Sequence, residues 1–117
     1  MKYRLGSDPE KHGTADCLSL ARTVLAYQGI ATPEPKRSWY RRLKHGDTSV
    51  FPEELKRWGT QVNAPTMGAV VLCKAENGFG LAVYWEGGCL AFRSLEVGWV
   101  PAGDLEVVAS YCQRKRT

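Results

Sequence analysis

Gly13-Thr14-Ala15-Asp16-Cys17-Leu18-Ser19-Leu20 opens the stretch that decides how this chain folds. Thr14 is a good helix cap, and Asp16 in a first turn suits the positive end of the helix dipole. Cys17, Leu20, Ala21, Val24 and Tyr27 recur at three- and four-residue spacing, and Leu18 and Leu25 widen that stripe. The spacing predicts a well-buried helix from Ala15 to about Gln28, with Gly29 as its stop. On this reading Cys17 falls near the third helical position. Unpaired backbone N–H groups there favour a thiolate.

Downstream, Pro33 and Pro35 forbid regular structure over 31–35. Ser38 is placed to cap a short helix, Trp39 to Lys44, ended by Gly46. Pro52 suits the first turn of another, Glu53 to Trp58, ended by Gly59. From residue 68 the texture changes. Residues 69–73 and 81–85 read as central strands, 89–93 and 97–100 as shorter ones, and 105–112 as the last, before a polar tail over 113–117. Asn77-Gly78 and Gly87-Gly88 read as hairpin turns. A helical half (about 1–60) before a stranded half (about 67–112) gives a single α+β domain over 1–117, with helices packed on an antiparallel sheet of about five strands.

The 117 residues include 44% apolar and 24% charged side chains, a globular balance that excludes wholesale disorder. No apolar run is long enough to span a bilayer, so no membrane is expected as a partner. The N-terminus lacks the apolar core of an export signal, so the expected location is cytoplasmic, or a particle assembled in the cytoplasm. The net charge is +4. Residues 1–60 carry eleven basic and seven acidic side chains, and residues 61–117 carry five of each. Cys17, Cys73, Cys89 and Cys112 are 56, 16 and 23 residues apart. Without a closely spaced ligand pair they do not predict a metal site, and no cofactor is expected. Cys73, Cys89 and Cys112 read as small buried hydrophobes.

Tyr3-Arg4-Leu5-Gly6, then the Asp16-Cys17 helix start, then Gly29-Ile30 and Pro33, resemble the start of the NlpC/P60 family of cell-wall cysteine peptidases. In that family a tyrosine and a glycine precede a helix opening Asp-Cys-Ser-Gly-Leu. Met67-Gly68-Ala69-Val70-Val71-Leu72 is similar to the family's Gly-Asp-Val-Val strand, and Leu81-Ala82-Val83-Tyr84 to its next strand. The resemblance implies a papain-like fold in which a cysteine helix faces a histidine on the sheet. It also implies Cys17 as nucleophile, with Tyr3 and Asp16 beside it and peptidoglycan stem peptide as substrate.

The chain departs from that pattern where the family reads His-Val-Gly-Ile-Tyr. Here the stretch is Gly80-Leu81-Ala82-Val83-Tyr84, so glycine replaces the general base. The third polar position falls near Ala91 or Phe92, which cannot orient an imidazole, and the neighbouring Arg93 is a poor base. Of the two histidines, His12 lies on the approach to Cys17 but not on the sheet side of the cleft, and His45 follows a surface helix. The expectation is a domain that keeps the fold without the chemistry: a structural or interaction module whose partners are other subunits of an assembly. Small domains resembling this family occur in bacteriophage tails, which makes a virion tail or baseplate component the leading reading. The alternative is an active peptidase or amidase using Cys17 and a base placed elsewhere, for which His12, five residues before it, is the rescue candidate.

A second feature stands apart. Lys36, Arg37, Trp39, Arg41, Arg42 and Lys44 crowd positive charge and aromatics into nine residues, 36–44. They suit an anionic or protein partner, although the segment lacks the groove-reading pattern of a nucleic-acid module. Trp85 and Trp99 flank turns and are expected to be partly exposed.

Overall fold

Helix α2 (Cys17–Tyr27) is the element around which the chain is arranged. The structure, a computed structural model, describes residues 1–93 and 95–114; the predicted tail therefore lies outside the described residues from Lys115 onward. Asp16, not Thr14, caps α2. Its carboxylate accepts the Ser19 N–H at 2.7 Å, and its own N–H donates to Ser19 Oγ at 3.0 Å, a reciprocal capping box. Thr14 is drawn away because Thr14–Ala15 form strand β2, which pairs in parallel with β1 (Lys2–Tyr3). Cys17 is thereby the first helical residue rather than the third.

The other end of α2 follows its sequence. Gly29 has φ +75°, and the N–H groups of Gly29 and Ile30 bond to the carbonyls of Ala26 and Leu25 at 3.0 and 2.9 Å. That double bond closes the helix as a Schellman motif. Leu20, Ala21, Val24 and Leu25 are buried, whereas Tyr27 is 86% exposed and leaves the predicted stripe.

Three more helices surround it: α1 (Pro9–His12), α3 (Arg37–Lys44) and α4 (Val50–Trp58). Both predicted starts move earlier. Lys36 occupies the cap of α3, with Ser38 inside the helix, and Ser49 occupies that of α4, with Pro52 still in the first turn. Neither side chain caps its helix with a hydrogen bond to the first-turn N–H groups.

The sheet has eight strands, not about five. The predicted meander is present as β4 (Val70–Ala75), β5 (Gly78–Trp85), β6 (Gly88–Arg93), β7 (Glu96–Pro101) and β8 (Val107–Gln113). Strand β3 (Gly59–Val62) adds beyond β8, and β1 and β2 add beyond β7, giving the order β2-β1-β7-β6-β5-β4-β8-β3. Every pairing is antiparallel except β1 with β2. The three extra strands are two to four residues long and have no apolar alternation of their own. Long-range pairing makes them.

Both faces of the central strands are buried, which explains their unbroken apolar runs. Val70, Leu72, Leu81 and Val83 meet Leu20, Leu25, Trp39 and Phe51 of the helices. On the opposite face Val71, Ala82, Cys89, Ala91 and Val100 form a second cluster under Leu105. Each fully buried aliphatic side chain contributes about 1.5–3 kcal/mol.

The β5–β6 turn is Glu86-Gly87, one residue before the predicted pair, and both residues have positive φ (48° and 82°). Gly88 then begins β6, where the Trp99 ring leaves no room for a Cβ. Trp99 is 49% exposed and donates its indole N–H to the Trp85 carbonyl at 2.8 Å.

Candidate functional site

The register of β5 opens the site. Strand β5 pairs with β4 along its length, down to Gly78 opposite Ala75. Its pairing with β6 ends at Val83 opposite Leu90, whereas β6 stays with β7 as far as Arg93 opposite Glu96. Strands β5 and β6 therefore part, and their separated halves flank a cleft of about 440 Å³. Cys17 at the head of α2, Tyr3, Phe51, Phe79, Gly80, Ala91 and Phe92 all line it.

Two N–H groups on the freed edge of β5 find other partners. Phe79 N–H donates to Thr48 Oγ1 at 2.8 Å. The Leu81 N–H faces the Cys17 sulfur. Neither Thr48 nor Leu81 carries a local sequence signal for this role, because the contacts arise only when the loop before α4 and the start of α2 pack on β5.

The half-buried Cys17 thiol has its pKa raised rather than lowered. Burial pushes Cys17 up to about 12. The Leu81 N–H opposes that rise, while the Asp16 charge and the neighbouring Cys73 add to it. This reverses the expectation drawn from the helix dipole. The helix end favours a thiolate by a kcal/mol or so, which desolvation outweighs. At pH 7 the neutral thiol therefore predominates.

Asp16 is 1% exposed and occupied structurally. Besides the cap, its carboxylate accepts the Gly6 N–H at 2.8 Å and so fastens the N-terminal strand to α2. The Tyr40 hydroxyl, on α3, is raised above its ordinary value by burial and then by the Asp16 charge. The closeness of Tyr40 to Asp16 depends on how α3 docks and carries no local sequence signal. Tyr3 packs edge-on against Phe92, with centroids 5.2 Å apart. Burial raises its hydroxyl pKa, with Cys17 and Asp16 contributing.

No histidine lines the cleft. His12 ends α1, where its Nδ1 accepts the Asp8 N–H at 3.0 Å. His45 is exposed at the C-terminal cap of α3. Gly80 does line it, and a Cβ there would have only Cys73 Sγ and Ala75 Cβ nearby, both at 3.8 Å. Ala91 and Phe92 complete an apolar wall, while the Arg93 side chain lies outside the description. All four cysteines are unpaired, and Cys112 is half-buried rather than buried as expected.

The basic segment divides. Trp39 is 5% exposed and belongs to the core, which removes it from any binding surface. Arg42 is internal to the fold: it bonds Asp47 Oδ2 at 2.8 Å, Ser49 Oγ at 2.9 Å and the Glu53 carboxylate, tying α3 to α4. Those bonds hold Asp47 down at about 2. Lys36, Arg37, Arg41 and Lys44 are exposed.

No known protein family, curated protein or solved structure matches this chain. Among the described residues, no helix is long and apolar enough to cross a membrane.

Proposed function

We propose that the chain is a papain-like, NlpC/P60-like domain that keeps the cysteine helix and the sheet wall but works as a non-catalytic structural or interaction module. One observation carries this reading: the cleft beside Cys17 is walled by Gly80, Ala91 and Phe92, with neither histidine in it. The sulfur serves the fold by facing the Leu81 N–H. The sequence resemblance supports a bacteriophage tail or baseplate component, held among other protein subunits, as the setting; this step is an analogy of fold.

The test is incubation with purified peptidoglycan fragments, with released peptides read by mass spectrometry and Cys17→Ala run in parallel. The reading expects no release from either protein. Release by the unaltered chain that disappears in Cys17→Ala would establish a cysteine peptidase or amidase and overturn it.

A further inference from the structure

Helix α3 has a charge arrangement that its own stability does not explain. At about 100° per residue, Arg37, Arg41 and Lys44 fall within about 60° of arc and span about 10 Å of helix. All three are exposed, as is Lys36 at the cap. Trp39 points the opposite way, into the core. Cations in the last turn complement the helix dipole, which accounts for Arg41 and Lys44. Lys36 and Arg37 stand at the positive end, where cations are unfavourable and where Ser, Thr, Asp or Asn would cap the helix.

Among the described residues, no carboxylate pairs with this row. The ion pairs among the described residues engage Arg22, Arg42, Arg57, Lys74 and the N-terminal amine, and none engages Lys36, Arg37, Arg41 or Lys44. Residues 36–46 contain no acidic side chain.

The geometry points to this face of α3 as a docking surface for an acidic segment of a partner protein, with carboxylates spaced to meet Arg37, Arg41 and Lys44. A guanidinium takes a carboxylate with two parallel hydrogen bonds, and arginine is enriched at protein interfaces. Nucleic acid fits less well. The row offers about four phosphate contacts, and no aromatic accompanies it for stacking, because Trp39 is buried and the Tyr40 hydroxyl is turned toward Asp16. The inference rests on the module reading only in needing a partner, and it concerns a surface separate from the Cys17 cleft.

The experiment is fluorescence anisotropy with a labelled alanine-rich helical peptide bearing glutamates at alternating four- and three-residue spacing, and with a 20-base-pair DNA duplex as the second probe. The peptide is expected to bind at 50 mM salt and to weaken at least about tenfold by 300 mM. Arg37→Gln/Arg41→Gln/Lys44→Gln, and Arg41→Glu alone, are expected to weaken it at least about tenfold with circular dichroism unchanged. Arg57→Gln, on α4, is expected to change it less than twofold. Peptide binding that is absent, or that survives both variants, overturns the proposal. Duplex binding tighter than peptide binding at 150 mM salt, lost in the same variants, also overturns it and gives the face to nucleic acid. Peptidoglycan cleavage would refute the module reading without touching this result.

Discussion

The Cys17 sulfur and the Leu81 backbone N–H face one another where β5 leaves β6. In a continued ladder that N–H would belong to β6. The cysteine thus sits against the edge of β5 that β6 leaves, and burial raises its thiol above the ordinary range. Alkylation of Cys17 by iodoacetamide at pH 8, followed by peptide mass spectrometry, should be on the order of a hundredfold slower than that of a free cysteine. The loss of thiolate is larger, but a high-pKa thiolate is intrinsically more nucleophilic and recovers part of it. A rate within fivefold of free cysteine would contradict this account.

The same thiol sets a pH dependence. Its folded pKa is raised above the unfolded value of about 9, so its contribution is complete below pH 9 and is lost as pH rises toward 12. The unfolded chain releases the proton first, which favours unfolding. Relative to Cys17→Ala, the unaltered protein should lose about 1.4 kcal/mol between pH 8 and pH 10 in urea titrations. Tyr3 and Tyr40 are raised as well, so both proteins should decline above pH 10, the unaltered one more steeply. Parallel curves from pH 8 to pH 10 would show that burial does not hold the thiol.

Gly80 is the position to refill. Its nearest neighbours stand at 3.8 Å from a would-be Cβ, and its backbone needs no positive φ, so a side chain is tolerated. Gly80→His should fold and should raise Cys17 alkylation at pH 7.5 at least about tenfold, because an imidazole in the cleft supplies the missing base. Gly80→Leu fills the same space without a base and should leave the rate unchanged. Equal rates in the two variants would mean that position 80 does not address the sulfur, and the papain-like comparison would lose its main support.

Asp16 should prove to be a stability residue. Asp16→Ala removes the α2 cap and leaves the Gly6 and Ser19 N–H groups without their acceptor, the Ser19 N–H in a buried site. The cost should be about 2–4 kcal/mol in urea denaturation. Proteolysis should then begin within the first 15 residues. A loss below 0.5 kcal/mol would show that water replaces the carboxylate.

Where the chain's local chemistry and its tertiary contacts agree, the fold was legible. The stripe Leu20, Ala21, Val24 and Leu25 marks α2, and the runs at 69–73 and 81–85 mark the central strands, observed as Val70–Ala75 and Gly78–Trp85, because both faces of the sheet are covered. The start of α2 was misplaced because Thr14 and Asp16 are both good caps, and only the pairing of Thr14 with Lys2 decides between them. Strands β1, β2 and β3 have too few residues for a period to show. The charge on Arg42 looked the same as that on Arg41 in sequence. The approach of Asp47 and Glu53 separates the clamp from the exposed row. At the cleft, Gly80 was in view from the sequence and does line it, but the state of the Cys17 thiol was not legible, since its surroundings depend on β5, which lies more than sixty residues away.

Glu86 offers a last check on the sheet. It is the one described non-glycine residue with a positive φ (48°), at the first central position of the Glu86-Gly87 turn. That turn joins β5 to β6 where the two strands are still paired, at Trp85 opposite Gly88. A left-handed conformation costs an L-residue about 1–2 kcal/mol, and asparagine or glycine relieves most of that in this turn type. Glu86→Asn should therefore stabilise the protein by about 1 kcal/mol, raising Tm by about 4 °C, with no change in the cleft or in Cys17 alkylation. Gly87→Val, which places a β-branched side chain at φ 82°, should do the reverse. A lower Tm for Glu86→Asn would mean that the carboxylate is needed at the turn, and the strand register assigned here would have to shift.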